Sequence, residues 1–194
     1  MDVVIAATAL VLISPLMVLI AVLIWGQGGT VLFVHRRIGF DGRPFNCYKF
    51  RTMCADPEGA LSVYLQSNPE AEAEWLANRK LRRDPRVTLF GHILRKASLD
   101  ELPQLFNVLR GEMSCVGPRP IVADELERYG EVARDYLRTR PGLTGLWQVN
   151  GRNTVDFARR VELDGQYVRT WCVRSDLAIL FRTIFAVARF DETC

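Results

Sequence analysis

From Val3 to Trp25 the chain carries no charged residue, and no later stretch repeats that pattern. As a helix this run reaches about 35 Å, enough to cross a hydrocarbon core of about 30 Å. Ser14-Pro15 divides it near its middle. Pro15 has no N–H and its ring crowds the carbonyl of Val11, so the pattern predicts a break or kink there. Each arm is then about 15 Å long and reaches only the bilayer centre. Ser14 is placed to hydrogen-bond a carbonyl freed at the bend, easing the penalty of unsatisfied backbone in lipid. Two architectures are open, a single transmembrane helix and a re-entrant hairpin. In both, Arg36 and Arg37 put the following domain on the cytoplasmic side. A signal peptide fits poorly, because no basic n-region precedes the segment and the apolar run is long.

The remainder mixes apolar and charged positions. Thr30–Arg37 and Arg43–Thr52 read as two strands joined through Gly39-Phe40-Asp41-Gly42, a hairpin signal. In the second strand Phe45, Cys47, Lys49 and Arg51 share one face, where Lys49 is either a snorkelling lysine or a phosphate contact. Asn68–Arg83 reads as a helix, with Asn68 as cap, Pro69 at its start, Glu70, Glu72 and Glu74 early, and Arg79, Lys80, Arg82 and Arg83 late. Phe90–Ala97 and Asp100–Arg110 follow as short helices, the second carrying Leu102, Leu105, Phe106 and Leu109 on one side and stopped by Gly111. A last helix runs from Ser175 to about Phe190. Its stripe of Leu177, Leu180, Phe181, Ile184 and Phe185 suits either core packing or a membrane interface, with Arg182 and Arg189 on another face. The fold class expected is mainly α with a small β-hairpin. A membrane element over residues 1–29 precedes a domain over 30–194.

Composition narrows the chemistry. A net charge of +3 is too weak to indicate nucleic-acid binding. The basic side is nearly all arginine, since only Lys49, Lys80 and Lys96 are lysines. Composition bias explains most of this, and guanidinium groups also pair bidentately with phosphate. Five cysteines without C-x-x-C spacing and only two histidines, His35 and His92, argue against a zinc site or a disulfide framework. There is no P-loop or G-x-G-x-x-G.

The richest stretch is Ser98–Pro120, SLDELPQLFNVLRGEMSCVGPRP. It sets adjacent carboxylates, Asp100 and Glu101, at a helix start. A capping role explains them without chemistry, either as the Ser98–Glu101 capping box or with Asp100 as the cap. Capping and catalysis are compatible there, because a helix N-terminus stabilises both a carboxylate and an approaching phosphate. Adjacent acids also suit a divalent metal or a carboxylate nucleophile. Arg119, between Pro118 and Pro120, is presented on extended backbone and suits a phosphate, although an ordinary proline-rich loop has the same sequence.

Taken together, the Ser-Pro in the apolar segment, RRIGFDGRPFNCYKFRTM, LRKASLDELPQLFNVLRGEMSCVGPRP, RPGLTGLWQVNGR and SDLAILFRT resemble the bacterial sugar transferase family, the monotopic phosphoglycosyl transferases. The resemblance runs from Val3 to about Arg189. It implies transfer of a sugar-1-phosphate from a UDP-sugar to undecaprenyl phosphate, with release of UMP and a requirement for Mg²⁺. The product, a lipid-linked diphosphate sugar, would start exopolysaccharide, O-antigen (lipopolysaccharide) or glycoprotein glycan assembly. By the family pattern Asp100 is the nucleophile, forming a covalent aspartyl-phosphosugar intermediate, and a Mg²⁺ ligand, with Glu101 its essential partner. Arg95 and Arg119 match phosphate-binding arginines, and Arg37, Lys49 and Asp176 fall on further substrate-site positions. Ser14 and Pro15 mark the break of a re-entrant hairpin. The catalytic domain would then lie, with interfacial amphipathic helices, on the cytoplasmic face of the bacterial inner membrane. The expected partners are the two substrates and the membrane, with a homodimer left open and no nucleic acid. The chain departs from the family in opening on Met1-Asp2 rather than on basic residues. Two other classes remain in view. A retaining glycosidase also uses two carboxylates, but these flank the substrate about 5 Å apart or more, which neighbours on one turn rarely do. In a membrane-anchored interaction domain the acids would only cap.

Overall fold

The computed structural model describes residues 1–78, 81, 83–151 and 155–188. It opens with α1, Asp2–Trp25, a helix continuous through Pro15. The expected helix-break-helix is therefore not an interruption of the helix. Pro15 withholds one N–H, and the carbonyl it deprives is that of Val11. Ser14 Oγ donates to that oxygen at 3.0 Å, so the loss is made good locally and the helix continues.

One side of α1 is covered. Ala6, Met17, Ile20 and Ile24 are buried, a three-to-four-residue stripe on a helix with no polar face. Ala6 joins Phe45, Leu105, Val108 and Met113 in one cluster, while Met17, Ile20 and Ile24 join Phe50 and Leu94 in another. Both ends are also tied down by polar contacts. Ser114 Oγ donates to Asp2 Oδ2 at 2.8 Å, and Arg51 donates to the carbonyls of Ile24 and Gly28, where a cation complements the helix dipole. The opposite side, with Val4, Val11, Leu12, Val18, Leu19 and Val22, is exposed. By length and composition α1 is apolar enough to cross a membrane.

The strands β1 (Leu32–Ile38) and β2 (Pro44–Phe50) pair antiparallel. Asp41 and Gly42 turn the chain at φ 58° and 72°, as the glycine-bounded sequence predicts. His35 lies opposite Cys47 and Arg37 opposite Phe45, so His35, Arg37, Phe45, Cys47 and Lys49 line one face. Two helices follow, α2 (Pro57–Ser67) and α3 (Pro69–Asn78). The Asn68 cap is present, its Oδ1 accepting from Ala71 N at 3.2 Å. The expected basic end at Arg79, Lys80 and Arg82 lies outside the described residues. The helix α2 went unforeseen although Asp56-Pro57-Glu58 carries the same cap, proline and acid signature; Asp56 Oδ1 accepts from Gly59 N at 3.0 Å.

Next comes α4 (Leu89–Lys96), capped by Thr88 Oγ1. Gly91 lies so close to the Thr52 carbonyl that a side chain there would collide with it. The helix expected over Asp100–Arg110 is in fact a 3₁₀ turn, Leu99–Glu101, and a separate α5, Gln104–Leu109. Ser98 is left-handed at φ 56° and forms no side-chain cap, and α5 likewise starts without one. Neither capping reading of the acid pair therefore holds.

The rest of the domain is β3 (Ser114–Val116), α6 (Ala123–Glu127), α7 (Val132–Leu137), β4 (Gly142–Thr144), α8 (Leu146–Val149), α9 (Phe157–Arg169) and α10 (Val173–Ala188). The short strands β3 and β4 pair in parallel. Most of the apolar stripe of α10 faces outward, with Leu177, Phe181, Ile184 and Phe185 all more than half exposed. It is not a core stripe, although Ile179 beside it is buried in the first cluster. Arg189 lies outside the described residues.

Candidate active site

Asn107, with no exposed surface, joins the hairpin to the acid-bearing segment. Its Oδ1 accepts from Tyr48 N at 3.1 Å, and its Nδ2 donates to Asn46 O at 2.7 Å and to Glu112 Oε2 at 2.6 Å. The side chain thus fills the polar edge of β2 on either side of Cys47. This fixes the level at which Lys49, two residues further on, meets the turn carrying the acids. Lys49 Nζ donates to Glu101 Oε1 at 2.6 Å, a short charge-assisted bond between half-buried partners.

Asp100 sits beside this pair. Its carboxyl is pushed up to about 6, first by burial and next by the charge of Glu101, while Lys49, Arg95 and its own backbone N–H pull the other way. Arg95, on the last turn of α4, is steered by a bond from its Nε to Thr52 Oγ1 at 2.9 Å. Asp100, Glu101, Lys49 and Arg95 therefore form one charged group at the end of the hairpin. No group of three His, Cys, Asp or Glu side chains fit to hold a metal occurs among the described residues. Mg²⁺ commonly takes one or two carboxylates and completes its shell with water and substrate phosphate. Asp100 and Glu101 are hard oxygen donors, and a divalent cation would relieve the repulsion that raises Asp100.

Arg37 and Arg119 make a second charged group. Arg37 lies 3.5 Å from Glu125 on α6 and 3.1 Å from His35 Nδ1. Arg119 lies over the Trp147 ring at 5.6 Å. The buried Cys47 thiol is pushed up to about 11 by desolvation, against the pull of Lys49, Arg37 and Arg119. It marks where the two groups adjoin. Of the expected site residues, Asp100, Glu101, Lys49 and Arg95 thus form one charged group, and Arg37 and Arg119 form another that adjoins it at Cys47.

Asp176 is elsewhere. It is buried at the start of α10, accepting from Tyr167 OH at 2.8 Å and Trp171 Nε1 at 3.0 Å. These bonds join α9 to α10, and its described partners are structural rather than those of the acid pair. Three neighbours of Arg119 escaped sequence reasoning. Arg160 reaches the Trp147 ring at 4.8 Å, and buried Asp164 accepts from Tyr129 OH at 2.9 Å and feels the charge of Arg119. The LWQ of RPGLTGLWQVNGR flagged Trp147 only as part of a motif, and nothing local distinguishes Arg160 from a solvated helix arginine.

Comparison with known proteins shows the family of the chain. The family described as bacterial sugar transferase matches residues 1–190. Exopolysaccharide production protein ExoY of Rhizobium meliloti (strain 1021) is 56% identical over 187 residues, covering 96% of this chain and 83% of that protein. Undecaprenyl-phosphate galactose phosphotransferase of Salmonella typhimurium is 50% identical over 190 residues, 98% of this chain but only 40% of that protein. UDP-glucose:undecaprenyl-phosphate glucose-1-phosphate transferase of Escherichia coli (strain K12) is 38% identical over 193 residues, 95% of this chain and 38% of that protein. The chain therefore spans about two fifths of the length of the latter two relatives. A site that sets paired carboxylates against lysine and arginine, on a chain matched almost end to end, belongs to an enzyme of the bacterial sugar transferase family.

Proposed function

We propose that the protein transfers a sugar-1-phosphate from a UDP-sugar to undecaprenyl phosphate, releasing UMP and forming a lipid-linked diphosphate sugar. The observation that carries this reading is the junction of Asp100, Glu101 and Lys49 with the Arg37 and Arg119 group. One phosphoanhydride replaces another, so the reaction is nearly balanced and positioning and charge neutralisation dominate catalysis.

In the proposed sequence an Asp100 carboxylate oxygen attacks the sugar-bearing phosphorus, and the bond from that phosphorus to the UMP oxygen breaks. The oxygen of undecaprenyl phosphate then attacks the same phosphorus and the carboxylate leaves. Donor and acceptor, which approach from water and from lipid, need not occupy the site together. Lys49 holds Glu101 in place and stands close enough to favour the ionised form of Asp100. Arg119 and Arg95 offset charge on the transferring group. Mg²⁺, held by Asp100 with Glu101 beside it, would supply further neutralisation.

We also propose a re-entrant α1 and interfacial contact through α10, on the cytoplasmic face of the inner membrane. Support comes from the ties at both ends of α1 and from the exposed apolar sides of α1 and α10. Exopolysaccharide assembly is the pathway suggested by the R. meliloti relative's name.

A panel of UDP-sugars tested with undecaprenyl phosphate, read by UMP release and lipid-linked product, tests the reaction. Product with at least one sugar is expected. Release of free sugar instead would indicate hydrolysis and overturn the reading. Arg119→Lys tests the grip on phosphate. It keeps the charge but loses the planar fork, and we expect kcat/KM to fall at least tenfold, about 1.4 kcal/mol. Near-normal kinetics would make Arg119 a structural loop residue.

A further inference from the structure

Separate elements bring three guanidinium groups close together. Arg37 comes from β1, Arg119 from the loop after β3 and Arg160 from α9, and the charge of Arg119 acts on both of the others. Arg119 and Arg160 lie 5.6 and 4.8 Å from the centre of the Trp147 ring on α8. Only part of this charge is paired within the protein. Arg37 has Glu125 at 3.5 Å. Arg160 gives its Nε–H to the Val155 carbonyl at 3.0 Å, a neutral acceptor. The Arg119 guanidinium has no carboxylate partner recorded among the described residues. Asp164 lies beneath, yet burial pushes it up to about 7, so near neutrality it offsets only part of one charge. Arg37 and Arg160 are both lowered by burial first and by Arg119 next. Trp147 and Asp164 are almost wholly buried, and Trp147 Nε1 and Asp164 Oδ1 lack hydrogen-bond partners among the described residues. Crowded cations and orphaned buried polar atoms both oppose folding. An anion drawn into the cluster would offset the cations.

The register separates this cluster from the acid pair. Arg37 faces Phe45, four residues from Lys49, about 13 Å along the strand. That is a separation of backbone positions; the long side chains of both groups converge on Cys47 between them.

We propose that Arg160 completes, with Arg37 and Arg119, a second phosphate subsite, which holds the phosphate monoester that is not under attack at Asp100. That monoester is either the nucleotide phosphate that leaves or the polyprenyl phosphate that arrives. The choice between these sources rests on the proposed transferase reaction; the binding of a phosphate does not. Arg160 would bind through its guanidinium Nη groups, its Nε being used by Val155.

The test uses the full chain in nanodiscs, as wild type, Arg160→Gln and Arg160→Lys. Calorimetry without metal measures inorganic pyrophosphate and UMP, and steady-state kinetics measure KM for the UDP-sugar and for a short-chain polyprenyl phosphate. Arg160→Gln should weaken pyrophosphate at least tenfold, and Arg160→Lys should be affected less. Without ligand the melting temperature of Arg160→Gln should hold or rise, because a repelling cation is gone. A subsite for the nucleotide phosphate raises KM for the UDP-sugar and weakens UMP; one for the lipid phosphate raises KM for the polyprenyl phosphate alone. Unchanged pyrophosphate binding would overturn the proposal, as would a fall in melting temperature with both KM values unchanged. If Arg160→Gln does not fold, pyrophosphate affinity in Arg160→Lys decides, with wild-type affinity overturning the proposal. Loss of pyrophosphate binding in a protein that turns over no UDP-sugar would leave the subsite standing and remove the transferase reading.

Discussion

Asp100→Asn is expected to lower kcat by about 1000-fold or more, about 4 kcal/mol, while the protein folds normally. The substitution preserves size and removes only the anion. Because Asp100 lies in a 3₁₀ turn and serves as cap to neither neighbouring helix, no cap is lost with it. Burial and Glu101 both oppose the Asp100 charge, so the neutral amide should leave the unfolding midpoint unchanged or raise it. Activity and stability therefore move apart, which a structural role would not produce. Wild type incubated with donor alone should carry a phosphosugar on Asp100, visible by mass spectrometry after rapid quench, and the Asn variant should carry none. An adduct on another residue, or substantial turnover in the Asn variant, would remove Asp100 from the nucleophile's role.

The acid pair was legible because its chemistry is local. Two adjacent carboxylates, a Ser-Pro in an apolar run and an arginine between prolines are visible without any tertiary information. The hairpin was legible for the same reason, through the Gly39–Gly42 turn. Its alternation put Lys49 and Cys47 on one face, which the register bears out. What failed depended on tertiary context. The helix expected over Asp100–Arg110 had a good apolar period, but left-handed Ser98 precedes it and Pro103 divides it, and the acids end up in a turn facing Lys49. The α10 stripe had a period equally suited to a core or to an interface, and only packing shows that it faces outward. Asp176 was read from a motif, and packing shows its carboxylate bonded to Tyr167 and Trp171. Arg160 is the converse: with no signal in sequence, it comes beside Trp147 and Arg119 only because α9 packs against α8.

The largest topological effect is expected at the far end of α1. A spanning helix would put Met1 across the membrane from the catalytic domain. In this fold Asp2 accepts a bond from Ser114, and Ala6 is buried among residues of that same domain. Two features then favour keeping Met1 on the domain's side, the packed stripe with its Asp2 tie and the weakened backbone at Pro15. A cysteine introduced just before Asp2, in a background with Cys47, Cys54, Cys115, Cys172 and Cys194 replaced, reports which side it occupies. On intact spheroplasts an impermeant thiol reagent should leave it unlabelled. Replacing Ser14-Pro15 by Ala-Leu restores the hydrogen bond to Val11 and favours a straight helix of about 35 Å, long enough to cross. Asp2→Ala in the same chain removes the tie to Ser114, and labelling should then appear. Labelling already in the native segment would show that α1 spans and that Pro15 is a tolerated proline. Protection in the triple variant would assign the topology to the buried stripe of Ala6, Met17, Ile20 and Ile24 alone. Replacing Ala6 by a larger residue should then release Met1 where loss of Pro15 does not.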